Sequence, residues 1–192
     1  MALTPSQMLP LGTPAPAFAL TDAVTGRTVR HDEAPDATAL VVLFICNHCP
    51  FVIHVRDALT RLGADYADRG VRFVAINSNS LETHPQDGPG PMKALATELG
   101  WSFPYCFDQT QAVAKAYRAA CTPDAYVFDG DHQLAYRGQL DDSRPGQGVA
   151  DAADVRAALD AILDGRAPSE DQRPSMGCNI KWAPGNAPAY FG

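Results

Sequence analysis

Among the 192 residues no apolar run is long enough to cross a bilayer, and no block of like charges appears. The first absence excludes a membrane-spanning helix, and the second excludes a charged interaction tail. Basic residues are also in the minority. Fifteen Lys and Arg stand against 22 Asp and Glu, a formal net charge of -7, which argues against nucleic-acid or anionic-membrane partners. The residues up to Pro16 contain no basic segment followed by an apolar one, and Pro5, Pro10, Pro14 and Pro16 interrupt them. A reducing, cytoplasmic location is therefore expected. Cysteine is scarce too, at five residues, of which only Cys46 and Cys49 are closely spaced. Five cysteines in a reducing compartment are not a structural disulfide framework. The expected partners are small-molecule or protein thiols and disulfides. No internal repeat is present, no cofactor is implied, and nothing fixes an oligomeric state.

What remains is a chain with 46% hydrophobic content, enough for one well-buried core. We expect one domain over residues 1–165 and a tail over 166–192. Residues 17–31 read as a hairpin around Thr25-Gly26, and Thr38 to Ile45 as a strand covered on both faces. Val52, Val55, Leu59, Leu62 and Tyr66 recur at helical spacing after Pro50, and the helix ends by Gly70. Val71 to Asn77 completes a βαβ unit with parallel strands. A polar loop from Ser78 to Gly90 leads to a helix from Pro91 to Leu99, closed by Gly100. Phe103 to Phe107 is strand-like, and Asp108 with Gln111 predicts a capping box for a helix containing Val113, Ala116, Tyr117 and Ala120. Cys121-Thr122-Pro123 interrupts it. Residues 125–136 read as a hairpin and Ala152 to Asp164 as a last helix. From Arg166 onward the composition predicts an irregular tail anchored by Ile180, Trp182, Tyr190 and Phe191.

The chemistry concentrates at Phe44-Ile45-Cys46-Asn47-His48-Cys49-Pro50-Phe51, where the buried strand meets the first long helix. Two cysteines separated by two residues close a small disulfide ring, and the helix dipole favours thiolate at its N-terminus. That spacing is also half of a zinc site, but no second close pair completes it. Cys46, at the strand end, is the expected nucleophile, with Cys49 resolving. An imidazolium at His48 would stabilise the Cys46 thiolate and make the disulfide more oxidising. His54 falls off the apolar face and reads as structural, Cys106 as core, and Asp141-Asp142 with Arg144 as a loop-fixing ion pair.

The order of elements resembles the thioredoxin fold, an α/β fold with a central mixed sheet flanked by helices. More narrowly, the dithiol segment, Ala75-Ile76-Asn77-Ser78, Asp108-Gln109-Thr110-Gln111, Cys121-Thr122-Pro123-Asp124, Tyr136-Arg137-Gly138, Asp141-Asp142-Ser143-Arg144-Pro145 and Gly177-Cys178-Asn179-Ile180-Lys181-Trp182 resemble the peroxiredoxin-like (AhpC/TSA-related) branch. The resemblance implies a thiol-disulfide oxidoreductase. It also implies that Thr122-Pro123 is a cis loop facing the dithiol and pairing with substrate backbone. Cys121 and Cys178 are candidate accessory thiols. The peroxidase threonine and proline, three and seven residues before the reactive cysteine, are missing. Those positions are Cys46 and Val42 before Cys49, and Leu43 and Ala39 before Cys46. Leu40 stands where a thioredoxin carries its buried aspartate, so no general base is named. A thiol peroxidase, and a copper or zinc module using Cys46, Cys49 and a histidine, remain alternatives.

Overall fold

Backbone pairing in the computed structural model, which describes residues 3–191, follows the hydrophobic pattern; Met1, Ala2 and Gly192 lie outside it. Strand β1 (Leu3–Pro5) and the hairpin β2 (Ala19–Asp22) and β3 (Thr28–Arg30) precede β4 (Ala39–Phe44). Then come α1 (Pro50–Tyr66), β5 (Val71–Asn77), α2 (Pro89–Glu98), β6 (Tyr105–Phe107), α3 (Ala112–Ala116), β7 (Cys121–Thr122), β8 (Asp124–Asp129), β9 (Leu134–Gly138), α4 (Ala153–Leu163) and β10 (Met176–Asn179). None of these helices is long and apolar enough to cross a membrane.

Seven strands form a mixed sheet in the order β3-β2-β6-β5-β4-β8-β9. Strand β4 lies parallel to β5 and antiparallel to β8, and all its residues are buried. Alternation along it feeds two cores. Val41, Leu43 and Ile45 pack with Val52, Leu59 and Leu62 of α1 and with Val155 and Leu159 of α4. Leu40, Val42 and Phe44 pack on the other face with Val29, Ile76, Tyr117 and Phe128. Pro50 opens α1 at a position where a backbone N–H has no helical partner, so its ring costs nothing. The expected mixed α/β fold is present, and the N-terminal hairpin joins the main sheet through the β2–β6 pairing.

Three local expectations change. Helix α2 starts at Pro89 rather than Pro91, and the loop before it contains a 3-10 turn over Pro85–Asp87. The capping box does not form. Gln111 sits in the left-handed region at φ 61° and donates its amide to the carbonyls of Ser78 and Lys181. Asp108 instead accepts the Ser78 hydroxyl and the Ala114 N–H. Helix α3 is consequently short, because tertiary hydrogen bonds outcompete the local cap. Finally, the tail holds a strand. β10 lies between β1 and β7 in a second sheet, with Cys178 opposite Leu3 on one side and Thr122 on the other.

Glycine at 177 makes that placement possible. A Cβ there would lie 2.0 Å from the Thr122 carbonyl oxygen and 2.7 Å from its carbon. Backbone must move to relieve such an overlap, so Gly177→Ala is expected to cost about 1–3 kcal/mol. Denaturant unfolding with an unchanged slope measures this, and an unshifted midpoint contradicts the close approach.

Candidate functional site

Strand β4 ends at Phe44, and the Ile45 N–H still bonds to the Ile76 carbonyl at 3.0 Å. The chain then turns through Cys46-Asn47-His48, and Cys49 is the N-cap of α1, its carbonyl accepting the Ile53 N–H. Both cysteines are buried, Cys46 at 1% and Cys49 at 0% exposure. Cys46, the expected nucleophile, is as enclosed as Cys49, with Thr122 of β7 against its sulfur.

Thr122 faces both sulfurs. Its hydroxyl lies 3.5 Å from Cys46 Sγ, and its carbonyl accepts the Cys49 thiol at 3.2 Å. The Thr122–Pro123 peptide bond is cis. Cys178, the β10 partner of Thr122, adds a third sulfur to the same core cluster, where its thiol and backbone N–H help lower the Cys49 pKa. Cys121, on the same short strand as Thr122, directs its thiol to the carbonyls of Pro123 and Ser175. Burial keeps it well above the ordinary thiol range.

The sulfur cluster is electrostatically asymmetric. The Cys46 thiol donates to Cys49, and with the Cys178 thiol and the N–H groups of Val52 and Cys178 it lowers the Cys49 pKa to about 5 against the pull of burial. The Thr122 carbonyl works the other way, since it accepts only from the protonated thiol. Cys46 is pushed up, first by its bond to Cys49, then by burial, then by the Asp87 carboxylate. The first charge of the pair thus rests on the cap cysteine. A sulfur at the N-cap receives the first-turn N–H group, and Cys46 lies three residues before that position.

His48 does not lean on Cys46 alone. Its Nδ1 lies 2.7 Å from Asp87 Oδ2, and its ring stacks on His84 with centroids 5.0 Å apart. Asp87 is fully buried, accepts the Asn47 N–H at 2.9 Å and the Asn79 side-chain amide at 2.8 Å, and is positioned by the 3-10 turn. Tyr105 donates to the Asn47 side chain at 3.1 Å. Cys46 Sγ, a His48 ring nitrogen and an Asp87 oxygen all fall within 4.8 Å of one another. These donor types suit a transition metal. The set differs from the expected one, with Asp87 in place of Cys49, and Asp87 already has protein partners on both oxygens.

Asp87 was missed because a lone aspartate in a Pro- and Gly-rich loop carries no spacing signal. Asp124, quoted above only as part of the Cys121-Thr122-Pro123-Asp124 segment, opens β8; fully buried near Cys121, it is raised by burial to about 7 and accepts the Tyr126 hydroxyl at 2.9 Å. His54 bonds to Ser143 at 2.8 Å, away from the sulfurs. The expected Asp141–Arg144 ion pair is absent among the described residues. Asp141 accepts the N–H groups of Asp151 and Ala152 at the start of α4. Arg144 donates to the Asp141 and Ser143 carbonyls and to the Gln139 side chain. Cys106 is buried in the second core, as expected.

An uncharacterized conserved protein from Geobacillus kaustophilus is 56% identical in sequence, with a TM-score of 0.93 over 96% of this chain and 98% of its own. A hypothetical protein from Sinorhizobium meliloti 1021 is 46% identical, with a TM-score of 0.92 over 95% of this chain and 100% of its own. A thiol:disulfide interchange protein of the thioredoxin family from Chlorobium tepidum TLS shares the fold at 18% identity, with a TM-score of 0.59 over 82% of this chain and 97% of its own. No curated protein matches in sequence. The Redoxin family pattern matches residues 10–159. With a cysteine pair at the strand-to-helix turn of a thioredoxin-like sheet and that match across most of its length, the chain belongs to the Redoxin family.

Proposed function

We propose that the protein is a thiol-disulfide oxidoreductase whose Cys46 and Cys49 cycle between dithiol and disulfide. The observation that carries this reading is geometric: two cysteines two residues apart stand at the turn from strand β4 into helix α1, with both sulfurs against Thr122. Shifting the proton from Cys46 to Cys49 along their hydrogen bond makes Cys46 the thiolate, with His48 and Asp87 beside it. Cys46 then attacks one sulfur of an external disulfide, forming a mixed disulfide and releasing one thiolate, which takes up a proton. Loss of the Cys49 proton lets Cys49 attack Cys46, closing the Cys46–Cys49 bond and releasing the second thiol. Two electrons pass from the protein to the substrate, and a reducing dithiol reverses the cycle. The substrate class is a small-molecule or protein thiol or disulfide. Thr122, against both sulfurs, and Pro123 are the residues we assign to contacting the substrate, and an incoming chain that pairs with the Thr122 backbone must displace β10 from it.

The test is a peptide map after one equivalent of oxidised glutathione, acid quenching and alkylation. Trypsin leaves both cysteines on the peptide of residues 31–56, so the internal disulfide appears as that peptide two hydrogens lighter and unalkylated. A folded protein that retains two alkylated cysteines on this peptide contradicts the reading.

A further inference from the structure

We propose that Cys178 is a third redox-active thiol, which attacks Cys49 of the Cys46–Cys49 disulfide and carries the bond onto strand β10 as Cys49–Cys178. The inference rests on the dithiol reading above and extends it to the tail. In the step a Cys178 thiolate adds to Cys49 Sγ, the Cys46–Cys49 bond breaks, and Cys46 leaves as thiolate and takes up the proton that Cys178 lost. The number of disulfides is unchanged, so the exchange needs no further oxidant.

Placement supports it first. Cys178 is the register partner of Thr122, whose carbonyl accepts the Cys49 thiol at 3.2 Å, and it packs in the same buried cluster as Cys49, while the strand that carries it is held in register along its length. Ser6 and Ser175 exchange hydrogen bonds at 2.9 Å at one end. At the other, the Ile180 N–H bonds to Ala120, and Lys181 is tied to Asn79 and Ser80. Burying an apolar patch needs none of this registration.

The edge that β10 occupies supports it next. An extended peptide that adds a strand to a sheet edge gains main-chain hydrogen bonds and aligns its side chains with fixed neighbours. The edge of β7 beside the dithiol is filled by this chain's own segment, antiparallel, with a cysteine opposite Thr122. β10 therefore lies as an extended thiol substrate would lie, and Gly177 allows the approach.

The charges give the exchange its timing. In the reduced protein burial, the bond to Cys49 and the Cys49 charge all hold Cys178 as a thiol, raised to about 12, while Lys181 pulls the other way. Oxidising Cys46 and Cys49 removes the Cys49 charge and the bond to its thiolate, so Cys178 ionises more readily once there is a disulfide to attack.

Oxidation of Cys46→Ser with one equivalent of oxidised glutathione tests the proposal, because this variant cannot close the first ring. The expected result is loss of two thiols and a cross-link between the tryptic peptides of residues 31–56 and 167–181. In wild type the same map should show this cross-link alongside the internal disulfide. Glutathione retained on Cys49 of the folded variant, with Cys178 still alkylated, overturns the proposal. So does a wild-type map with the internal disulfide and no cross-link, which leaves the dithiol reading standing. A wild-type map with neither species overturns both.

Discussion

Titrated through the absorbance of its thiolate, the reduced protein is expected to ionise one thiol with a midpoint near pH 5, far below the ordinary value of about 9. The step should vanish in Cys49→Ser. It should move upward in Cys46→Ala, which removes the largest stabilising contact, and by less in Cys178→Ala, which keeps the backbone N–H. The consequence for stability has two signs. Between about pH 5 and 9 the folded pair has lost one proton and the unfolded pair none, so stability rises with pH. Above about 9 the unfolded pair loses both protons while buried Cys46 keeps its own, so stability falls. Counting this pair alone, the reduced protein is most stable near pH 9. A first ionisation at or above 8 would show that the Thr122 carbonyl and burial outweigh the donors around Cys49.

Replacing Asp87 by alanine is expected to cost about 3–5 kcal/mol, among the larger effects of a single substitution. Its carboxylate is fully buried and faces the Asn47 N–H, the Asn79 amide and the His48 ring. Truncation leaves these groups unmatched, and each unsatisfied buried donor costs about 1–3 kcal/mol. Denaturant unfolding reads the loss, and a change below about 1 kcal/mol would mean that water replaces the carboxylate freely. Asp87→Asn separates shape from charge. It keeps an acceptor for Asn47 and should allow Cys46 to ionise more easily, since the Asp87 charge helps hold that thiol protonated.

The sheet, the long helices and the dithiol turn were legible because each rests on local pattern. The run over Ala39–Phe44 is apolar on both faces, α1 repeats its apolar side chains at helical spacing, and the cysteine pair stands at the junction. The parts that were not legible depend on distant partners. Met176-Gly177-Cys178-Asn179 has neither alternation nor β-branching and becomes a strand only because Thr122 and Leu3 lie on either side of it. Gln111 was read as a cap because spacing cannot reveal the carbonyls of Ser78 and Lys181. The role of His48 could not be read without Asp87, which lies 39 positions further along the chain and reaches it through a turn fixed by tertiary contacts. Cys178 was legible as a candidate only by its residue type; its contact with Cys49 comes from the register of β10.

The second sheet brings together segments near positions 3, 122 and 178. Closing loops of that length carries a larger entropic cost than forming the local β4-α1-β5 unit, and contacts of wide sequence separation are the slow ones to form. On these grounds the cysteine pair is expected to assemble before β10 pairs with β7. In such an order the dithiol would meet oxidants before it is buried, and refolding in oxidised against reduced glutathione is expected to change the redox state in which the protein closes.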